Sequence, residues 1–402
     1  MIKYPSELNT IFYTLIQQNI KPIIVGGFIR DSLLNIDSKD IDIELYNLSS
    51  FDELENILKK FGNINSVGKS FGISKLRYKN LDLDFSLPRQ DSKIKSGHRG
   101  FKIKTYSHID FKTATSRRDF TINSIGYDIV DKKILDPFNG INDLKNKRLK
   151  MVNADTFVED PLRVLRAVQF CARFDLEMDE ELFLLCFKMV EQNMLEELPK
   201  ERIYEEIKKL LLKSKKPSIG FELLKKIGAL KYFLQCSDSM SALNNLAKQL
   251  TTNSKTNEIL MLASLCYNFN STQIEDFISN LSNDKELLRR VLILVENLNI
   301  VTSLYSDYDL YKLSTKVNIE ELVILSKAVY GIGDKVAARA KELNILNKKM
   351  PAILMGRDLI KYGMKPSSKF TKILNAAYEA QMHKKFSSYD EALVWLKKYT
   401  NL

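Results

Sequence analysis

Residues 23–35 read IIVGGFIRDSLLN, and residues 39–44 read KDIDIE. The apolar run before the two glycines predicts a strand, and the pattern after them predicts a helix that begins at about Phe28. Because glycine has no Cβ, the backbone N–H groups of Gly26 and Gly27 can approach a triphosphate at the helix N-terminus. Arg30 adds a guanidinium for the same phosphates. The stretch therefore predicts a phosphate-binding strand–turn–helix unit, although two glycines are also typical of an ordinary turn.

Two predicted strands carry acidic side chains at alternate positions. Asp40 and Asp42 are two residues apart, so they share one face of a strand, where hard carboxylate oxygens suit Mg²⁺. The LDLDFS run of residues 81–86 places Asp82 and Asp84 in the same way. If the second strand brings Asp84 beside the first pair, the three carboxylates form a site for two metal ions. Either pair is also compatible with a solvated strand face.

The RRDFTIN motif of residues 117–123 combines paired arginines with an acid and an amide. Arg118 and its neighbour suit phosphate contacts, and Asn123 suits a ribose hydroxyl. Asp119 and Asn123, four residues apart, are equally typical of a helix cap and a turn anchor. The motif therefore predicts a nucleotide contact but also has a purely structural interpretation.

The EDPLRVLR motif of residues 159–166 predicts base selection. Pro161 in a first helical turn puts Asp160 near the N-cap, with Arg163 three residues further on the same face. A carboxylate accepts a hydrogen bond from an exocyclic amine, and a guanidinium donates to a ring nitrogen. Cytosine and adenine present that combination, whereas uracil and guanine present a carbonyl beside a ring N–H. The pair thus predicts selection of CTP and ATP; the alternative is a helix cap with an ion pair.

The chain as a whole is long, basic and without a membrane-spanning pattern. Its 402 residues exceed the roughly 250 to 300 that one core accommodates, so several domains are expected. Lys and Arg number 61 against 50 Asp and Glu, a net charge of +11, which favours a polyanionic partner. No apolar run reaches the roughly 18 residues of a membrane span, and residues 1–19 lack a signal-peptide pattern. We therefore expect a cytoplasmic protein with no membrane partner.

The predicted secondary structure changes along the chain from mixed strands and helices to helices. Up to about residue 150, β-branched runs alternate with helical patterns; strands are predicted at 22–25, 41–45, 74–78, 81–86 and 122–129. After about residue 150 the chain reads almost entirely as amphipathic helices. Residues 88–118 hold nine Lys and Arg against two acids. They predict either a basic loop that guides a nucleotide or polynucleotide backbone, or a solvated surface.

The motifs stand in the order found in one enzyme family. GGFIRD, DID, RRDFTIN, DPFNGINDLKNKRL (136–149) and EDPLRVLRA make the chain resemble the class II tRNA nucleotidyltransferases, the CCA-adding enzymes, a family that includes bacterial poly(A) polymerases. The resemblance implies an α+β multidomain protein with a polymerase-β-like head of mixed sheet and helices at 1–150. An all-α neck (151–215), body (216–330) and tail (331–402) would follow, with base recognition in the neck and tRNA binding in the tail.

The resemblance also implies an activity and a site. The activity is template-independent CCA addition to the tRNA 3′ end by two-metal nucleotidyl transfer, with Mg²⁺ as cofactor, CTP and ATP as substrates, and the tRNA acceptor arm as partner; DNA is not expected. The catalytic residues that the resemblance implies are Asp40, Asp42 and Asp84, of which Asp40 and Asp42 would bind the metal. The implied nucleotide-binding residues are Gly26, Gly27, Arg30, Arg118, Asn123, Asp160, Arg163 and Arg166.

The chain departs from the family pattern at Gln169, where Arg is common, so one charged contact is in doubt. Within the same chemistry the alternatives are a poly(A) polymerase and an enzyme that adds only A or only CC. The alternative from another class is a catalytically silent RNA-binding protein. Retention of the acidic and basic motif residues together argues against that alternative.

Overall fold

The computed structural model describes residues 2–48, 50–65, 73–93, 101–105, 109–232, 240–302 and 306–400. The chain divides into two compact units, Met1–Phe233 and Leu234–Leu402. The finer division into head, neck, body and tail stays a prediction. In the described ranges, no helix is both long and apolar enough to cross a membrane.

A mixed seven-stranded sheet forms the centre of the first unit, in the order β3-β4-β5-β2-β1-β8-β9. Strands β2 and β5 run parallel, and the other neighbours in this sheet are antiparallel. Two small ladders, β6–β7 and β10–β11, lie outside it. The strands are β1 (Lys21–Val25), β2 (Asp40–Tyr46), β3 (Ile64–Asn65), β4 (Ile73–Tyr78), β5 (Leu81–Ser86), β6 (Arg89–Lys93), β7 (Phe101–Thr105), β8 (Gly126–Asp128), β9 (Lys133–Leu135), β10 (Arg148–Leu149) and β11 (Glu177–Met178).

Helices surround the sheet and continue beyond it in the first unit. Helix α7 packs against both α9 and α10, as their helical apolar spacing predicts. The helices are α1 (Asn9–Gln17), α2 (Gly27–Leu33), α3 (Phe51–Leu58), α4 (Phe111–Thr115), α5 (Gly140–Lys145), α6 (Ala154–Phe157), α7 (Leu162–Phe174), α8 (Glu180–Glu191), α9 (Lys200–Lys213) and α10 (Pro217–Lys226).

In the described part of the second unit, helices are the regular secondary structure, and turns and loops connect them. Its helices are α11 (Met240–Ala247), α12 (Ser254–Leu265), α13 (Ser271–Leu281), α14 (Lys285–Leu298), α15 (Asp307–Ser314), α16 (Ile319–Tyr330), α17 (Asp334–Glu342), α18 (Gly356–Lys361), α19 (Lys369–Met382) and α20 (Tyr389–Thr400). The α+β head followed by helices is therefore confirmed as the fold class.

Most strand predictions are confirmed, and one needs correction. The strand predicted at 122–129 is wrong in its first half: residues 121–123 form a 3-10 turn, and β8 spans only Gly126–Asp128. Asn123 Nδ2 donates to Asp119 Oδ1 at 2.9 Å and Ser124 Oγ donates to the Phe120 carbonyl at 3.1 Å, and such local bonds compete with a sheet ladder. Strand β11 is a two-residue exception within the region predicted as almost entirely helical.

Candidate active site

Strand pairing brings the four predicted acidic side chains to one face of the sheet. In the parallel β2–β5 pair, Asp40 lies opposite Asp82 and Asp42 lies opposite Asp84. These residues line a cleft of about 610 Å³. Strand β4 continues both rungs with a cation, since its Lys75 lies opposite Asp84 and its Arg77 lies opposite Asp82. The cleft therefore holds a row of carboxylates that is bordered by positive charge.

The carboxylates differ in their partners. Lys75 Nζ lies 2.6 Å from Asp84 Oδ2, so the third acid is neutralised by a neighbouring strand. Among the described residues, no three His, Cys, Asp or Glu side chains lie close enough together to hold a metal ion. Partial desolvation raises the pKa of Asp42; the Arg118 cation opposes this rise, and the carboxylates of Asp84 and Asp40 add to it.

This donor set fits a divalent cation. Asp40 and Asp42 are exposed on the same face of β2, and their like charges favour a cation between them. Carboxylate oxygens are the hard ligands that Mg²⁺ takes in proteins. The ion pair with Lys75 leaves the role of Asp84 as a metal ligand a prediction.

Gly26 is the point at which the predicted phosphate turn meets the acidic strand. Its φ of 71° is one that glycine adopts readily, and its N–H donates to the Ile125 carbonyl at 3.1 Å. A Cβ built on Gly26 would lie 2.7 Å from Arg118 Nη1 and 3.6 Å from Asp42 Oδ2. Helix α2 begins at the next residue, Gly27. The structure thus brings the glycine turn, Asp42 and Arg118 together.

Arg30 lies buried beneath this turn with its donors engaged by protein groups. Its Nη1 donates to Asn123 Oδ1 at 2.6 Å, and its Nε and Nη2 donate to Asp31 Oδ1 at 2.8 and 2.6 Å. Its guanidinium also lies 5.0 and 4.5 Å from the ring centres of Phe170 and Phe174. In this arrangement Arg30 supports Asn123, and its direct contact with phosphate stays a prediction.

Asp119 joins the RRDFTIN motif to helix α7. Its Oδ1 accepts from Asn123 Nδ2, while its Oδ2 accepts from Arg166 Nε and Nη2 at 2.8 and 2.6 Å. Burial pushes the pKa of Asp119 upward, but the Arg166 cation and the Asn123 and Arg166 hydrogen bonds hold the pKa below its ordinary value. Arg166 Nη1 also lies 3.8 Å from the buried Glu206 of α9. Sequence reasoning did not identify Glu206, since nothing in its spacing distinguishes it from a surface acid.

Asp160 and Arg163 stand at the start of α7, as the EDPLRVLR motif predicts. Asp160 Oδ1 accepts from the Leu162 N–H at 3.2 Å, and its Oδ2 accepts from Arg202 Nη2 at 3.1 Å. Arg163 donates instead to two backbone carbonyls, and burial lowers its pKa against the opposing charge of Asp119. Both side chains are therefore held by protein groups. The partner Arg202 lies on α9, and its role could not be worked out from spacing.

The basic segment 88–118 is described only in part. Its strands β6 and β7 pair, but residues 94–100 and 106–108, and the side chains of 90–105, lie outside the described residues. The prediction that these cations guide a nucleotide or polynucleotide therefore stays a prediction.

The mixed sheet, the glycine turn at the end of β1 and the paired aspartates on β2 define a polymerase-β-like nucleotidyltransferase head. Residues 23–150 match the family model described as a poly A polymerase head domain. Residues 175–240 match the one described as a probable RNA and SrmB-binding site of polymerase A.

Curated relatives define the family. A CCA-adding enzyme of Blochmanniella floridana is 32% identical over 333 residues, which cover 74% of this chain and 77% of the relative. The chain therefore belongs to the class II tRNA nucleotidyltransferases, the family of CCA-adding enzymes and bacterial poly(A) polymerases. A multifunctional CCA protein of Mannheimia succiniciproducens is 36% identical over 211 residues, 52% of this chain. The match spans 48% of that relative, about half its length.

A solved structure has the same fold along the chain. The Thermotoga maritima CCA-adding enzyme complexed with tRNA_CCA superposes with a TM-score of 0.68 at 22% identity. The superposition covers 99% of this chain and 97% of that one. At this level of identity the likeness shows the fold.

Proposed function

We propose that this protein adds C, C and A to the 3′ end of tRNA from CTP and ATP, without a nucleic acid template. The observation that carries the proposal is the close approach of Gly26 and Arg118 to Asp42, which lines the cleft. A phosphate-binding turn, a carboxylate and a guanidinium at one point suit nucleotidyl transfer. Family membership, with relatives and a solved structure named as CCA-adding enzymes, supports the choice of product.

The reaction is an in-line displacement at the α-phosphate. The tRNA 3′-hydroxyl gives its proton to water, and its oxygen forms a bond to the α-phosphorus. The bond from that phosphorus to the bridging oxygen breaks, and pyrophosphate leaves. The Gly27 N–H and the Arg118 guanidinium hold the triphosphate beside Gly26, whose own N–H donates to the Ile125 carbonyl. Asn123 contacts the ribose, and Arg166 contributes a further nucleotide-site cation. Asp84 lies beside Asp42 on the same face.

Mg²⁺ is the cofactor that the Asp40 and Asp42 carboxylates would hold. When bound, it lowers the pKa of the attacking hydroxyl and offsets the charge on pyrophosphate. The protein's own contribution is to keep these two side chains on one exposed strand face, with Arg118 beside them.

Asp160 and Arg163 select the base of the incoming nucleotide. The carboxylate accepts from the amine of cytosine or adenine, and the guanidinium donates to the adjacent ring nitrogen. UTP and GTP present a carbonyl and a ring N–H in those places, so acceptor faces acceptor and donor faces donor, and neither hydrogen bond to the base forms. Arg202 holds the Asp160 carboxylate in place at 3.1 Å.

The partner that fits is tRNA. A net charge of +11 suits a polyanion, and the Thermotoga relative was solved as a complex with tRNA_CCA. We assign base recognition to residues 151–215 and tRNA binding to residues 331–402.

The charge of Asp42 is the first thing to test. Asp42→Asn should lower incorporation of CTP, onto a tRNA transcript that lacks CCA, by about 10³-fold or more, because the variant loses a metal-binding carboxylate. The dissociation constant for tRNA, measured separately, should not change. Asp82→Asn removes a matched charge one rung away on the same face and should cost less than tenfold. Undiminished turnover by Asp42→Asn would reject the assignment, and tRNA binding without any incorporation by the unmodified protein would favour a silent RNA-binding protein.

A further inference from the structure

We propose that Glu44 is a positioning residue that couples strand β2 to the base-selecting Arg163. The inference rests on the proposed function and deepens it. Glu44 follows Asp40 and Asp42 in the two-residue alternation of β2, so all three share one face. The two aspartates are exposed, whereas Glu44 has no exposed surface. A carboxylate is retained in such a place only where partners compensate its charge.

Glu44 has one partner for each oxygen. Tyr46 Oη donates to Glu44 Oε2 at 2.9 Å and fixes the plane of the carboxylate. Burial and the adjacent Glu44 charge raise the pKa of Tyr46 above its ordinary value. Arg117 Nη2 lies 3.8 Å from Oε1, and among the described residues Oε1 accepts no hydrogen bond. The negative charge on Oε1 therefore acts on Arg117.

The backbone carbonyl of Arg117 links the Glu44–Arg117 ion pair to Arg163. This carbonyl oxygen accepts from Arg163 Nη2 at 2.7 Å, and the Thr156 carbonyl accepts from Arg163 Nη1 at 2.8 Å. These two carbonyls fix the plane and direction of the Arg163 guanidinium. One of them belongs to the residue whose side chain Glu44 attracts. Displacement of Arg117 thus rotates the group that reads the ring nitrogen.

The position of Arg117 in the sequence strengthens this link. Its neighbour Arg118 has Nη1 within 2.7 Å of the place that a Gly26 Cβ would occupy. The side chain of Arg118 therefore contacts the phosphate turn, while the backbone carbonyl of the adjacent Arg117 contacts the base-selecting Arg163. Glu44 holds the Arg117–Arg118 segment from the strand that carries Asp40 and Asp42, which aligns the base with the reacting phosphate.

Glu44→Gln tests the coupling. The amide keeps the size of the side chain and an oxygen for Tyr46, but it removes the charge that attracts Arg117. We expect the preference for CTP over UTP, as a ratio of kcat/KM values, to fall about ten- to a hundredfold, because a displaced contact group loses its alignment. The dissociation constant for tRNA should stay the same. Glu44→Asp, which keeps the charge but withdraws it from Arg117, should give an intermediate loss.

Asp128→Asn is the matched control. Asp128 is another buried carboxylate of the same sheet, 1% exposed and 2.7 Å from Lys21 Nζ. Its substitution removes a buried charge from the sheet at a place away from Arg117. We expect it to lower the free energy of unfolding while the preference for CTP over UTP is unchanged. Equal losses of preference in Asp128→Asn and Glu44→Gln would indicate general destabilisation and overturn the inference.

A double-variant comparison separates this inference from the proposed function. If Glu44 acts through Arg163, Glu44→Gln should cost no further preference in an Arg163→Ala background. Additive losses would overturn the coupling, as would an unchanged preference in Glu44→Gln where Arg163→Ala abolishes it. If Arg163→Ala itself leaves the preference intact, the base-selection part of the proposed function fails instead.

Discussion

At the scale of single residues, both the backbone conformation of Gly26 and the space beside it require a residue without a Cβ. Its φ of 71° and ψ of −128° lie in a region that is costly for residues with a Cβ. The same missing Cβ makes room for Arg118 Nη1, which would otherwise lie 2.7 Å away. The absence of a Cβ at Gly26 therefore permits both the backbone conformation and the position of the Arg118 side chain.

Gly26→Ala should be far more damaging than Gly27→Ala. At Gly26 the new methyl group is strained and displaces Arg118, so we expect a loss of about 1–3 kcal/mol in the free energy of unfolding and weaker CTP binding. Among the described residues, a Cβ on Gly27 meets only Arg30 Nη2 at 3.6 Å, an ordinary contact. Urea denaturation and CTP titration of both variants measure the difference. Indistinguishable stabilities would refute the geometric argument.

The sequence predicts some of these residues and misses others for a physical reason. Asp40 and Asp42 follow from strand periodicity, and Gly26 follows from the requirements of a turn. Glu44 continues the same alternation, but nothing local shows that it is buried and faces Arg117. Partners distant in sequence, such as Arg202 for Asp160, are set by tertiary packing and carry no spacing signal.

At the scale of elements, the pairing of β2 with β5 decides the site. Each strand is predictable from its alternating pattern, and their parallel register is not, because it depends on how the whole sheet assembles. The register places Asp84 beside Asp42 and Lys75 beside Asp84. The strand at 122–129 was mispredicted because β-branched residues favour a strand, whereas Asn123 and Ser124 bond locally.

In the second unit, Asp307 ties three elements together through ion pairs. At the start of α15, it accepts from Arg339 Nε and Nη2 of α17, both at 2.7 Å, and from Lys384 Nζ after α19 at 2.6 Å. Hydrogen bonds from Arg339 and then Lys384 hold the pKa of Asp307 well below its ordinary value. A lowered pKa in the folded state stabilises the fold above the unfolded-state pKa of about 4, and this stabilisation is lost as the pH falls below it.

The stability deficit of Asp307→Asn should therefore depend on pH. We expect the variant to be less stable than the unmodified protein at pH 7 and the difference between them to shrink at pH 3, because Asp307 of the unfolded chain then takes up a proton that the ion-paired carboxylate of the folded protein does not. Urea unfolding of the full chain at both pH values gives the difference directly. A deficit that is the same at pH 3 and pH 7 would show that the ion pairs are not its source.

At the scale of the whole molecule, the excess of positive charge should govern tRNA affinity. Binding through phosphate contacts releases counterions, so the dissociation constant should rise steeply with salt, by about 10³-fold or more between 50 and 200 mM for six or more contacts. Filter binding or anisotropy over a salt series measures the slope. Asp42→Asn should give the same slope, since its carboxylate serves chemistry; an affinity insensitive to salt would contradict the electrostatic account.

The most direct test of the central claim is the product made by the unmodified protein on three transcripts of one tRNA. One ends before CCA, one after CC and one after CCA, and each is given every labelled NTP with Mg²⁺. We predict stepwise addition of C, C and A to the first, A alone to the second, and none to the third, with UTP and GTP excluded throughout. Unlimited A addition, also onto unrelated RNA, would contradict the claim in favour of a poly(A) polymerase, and A added only to the CC-ended transcript would reduce it to an A-adding enzyme.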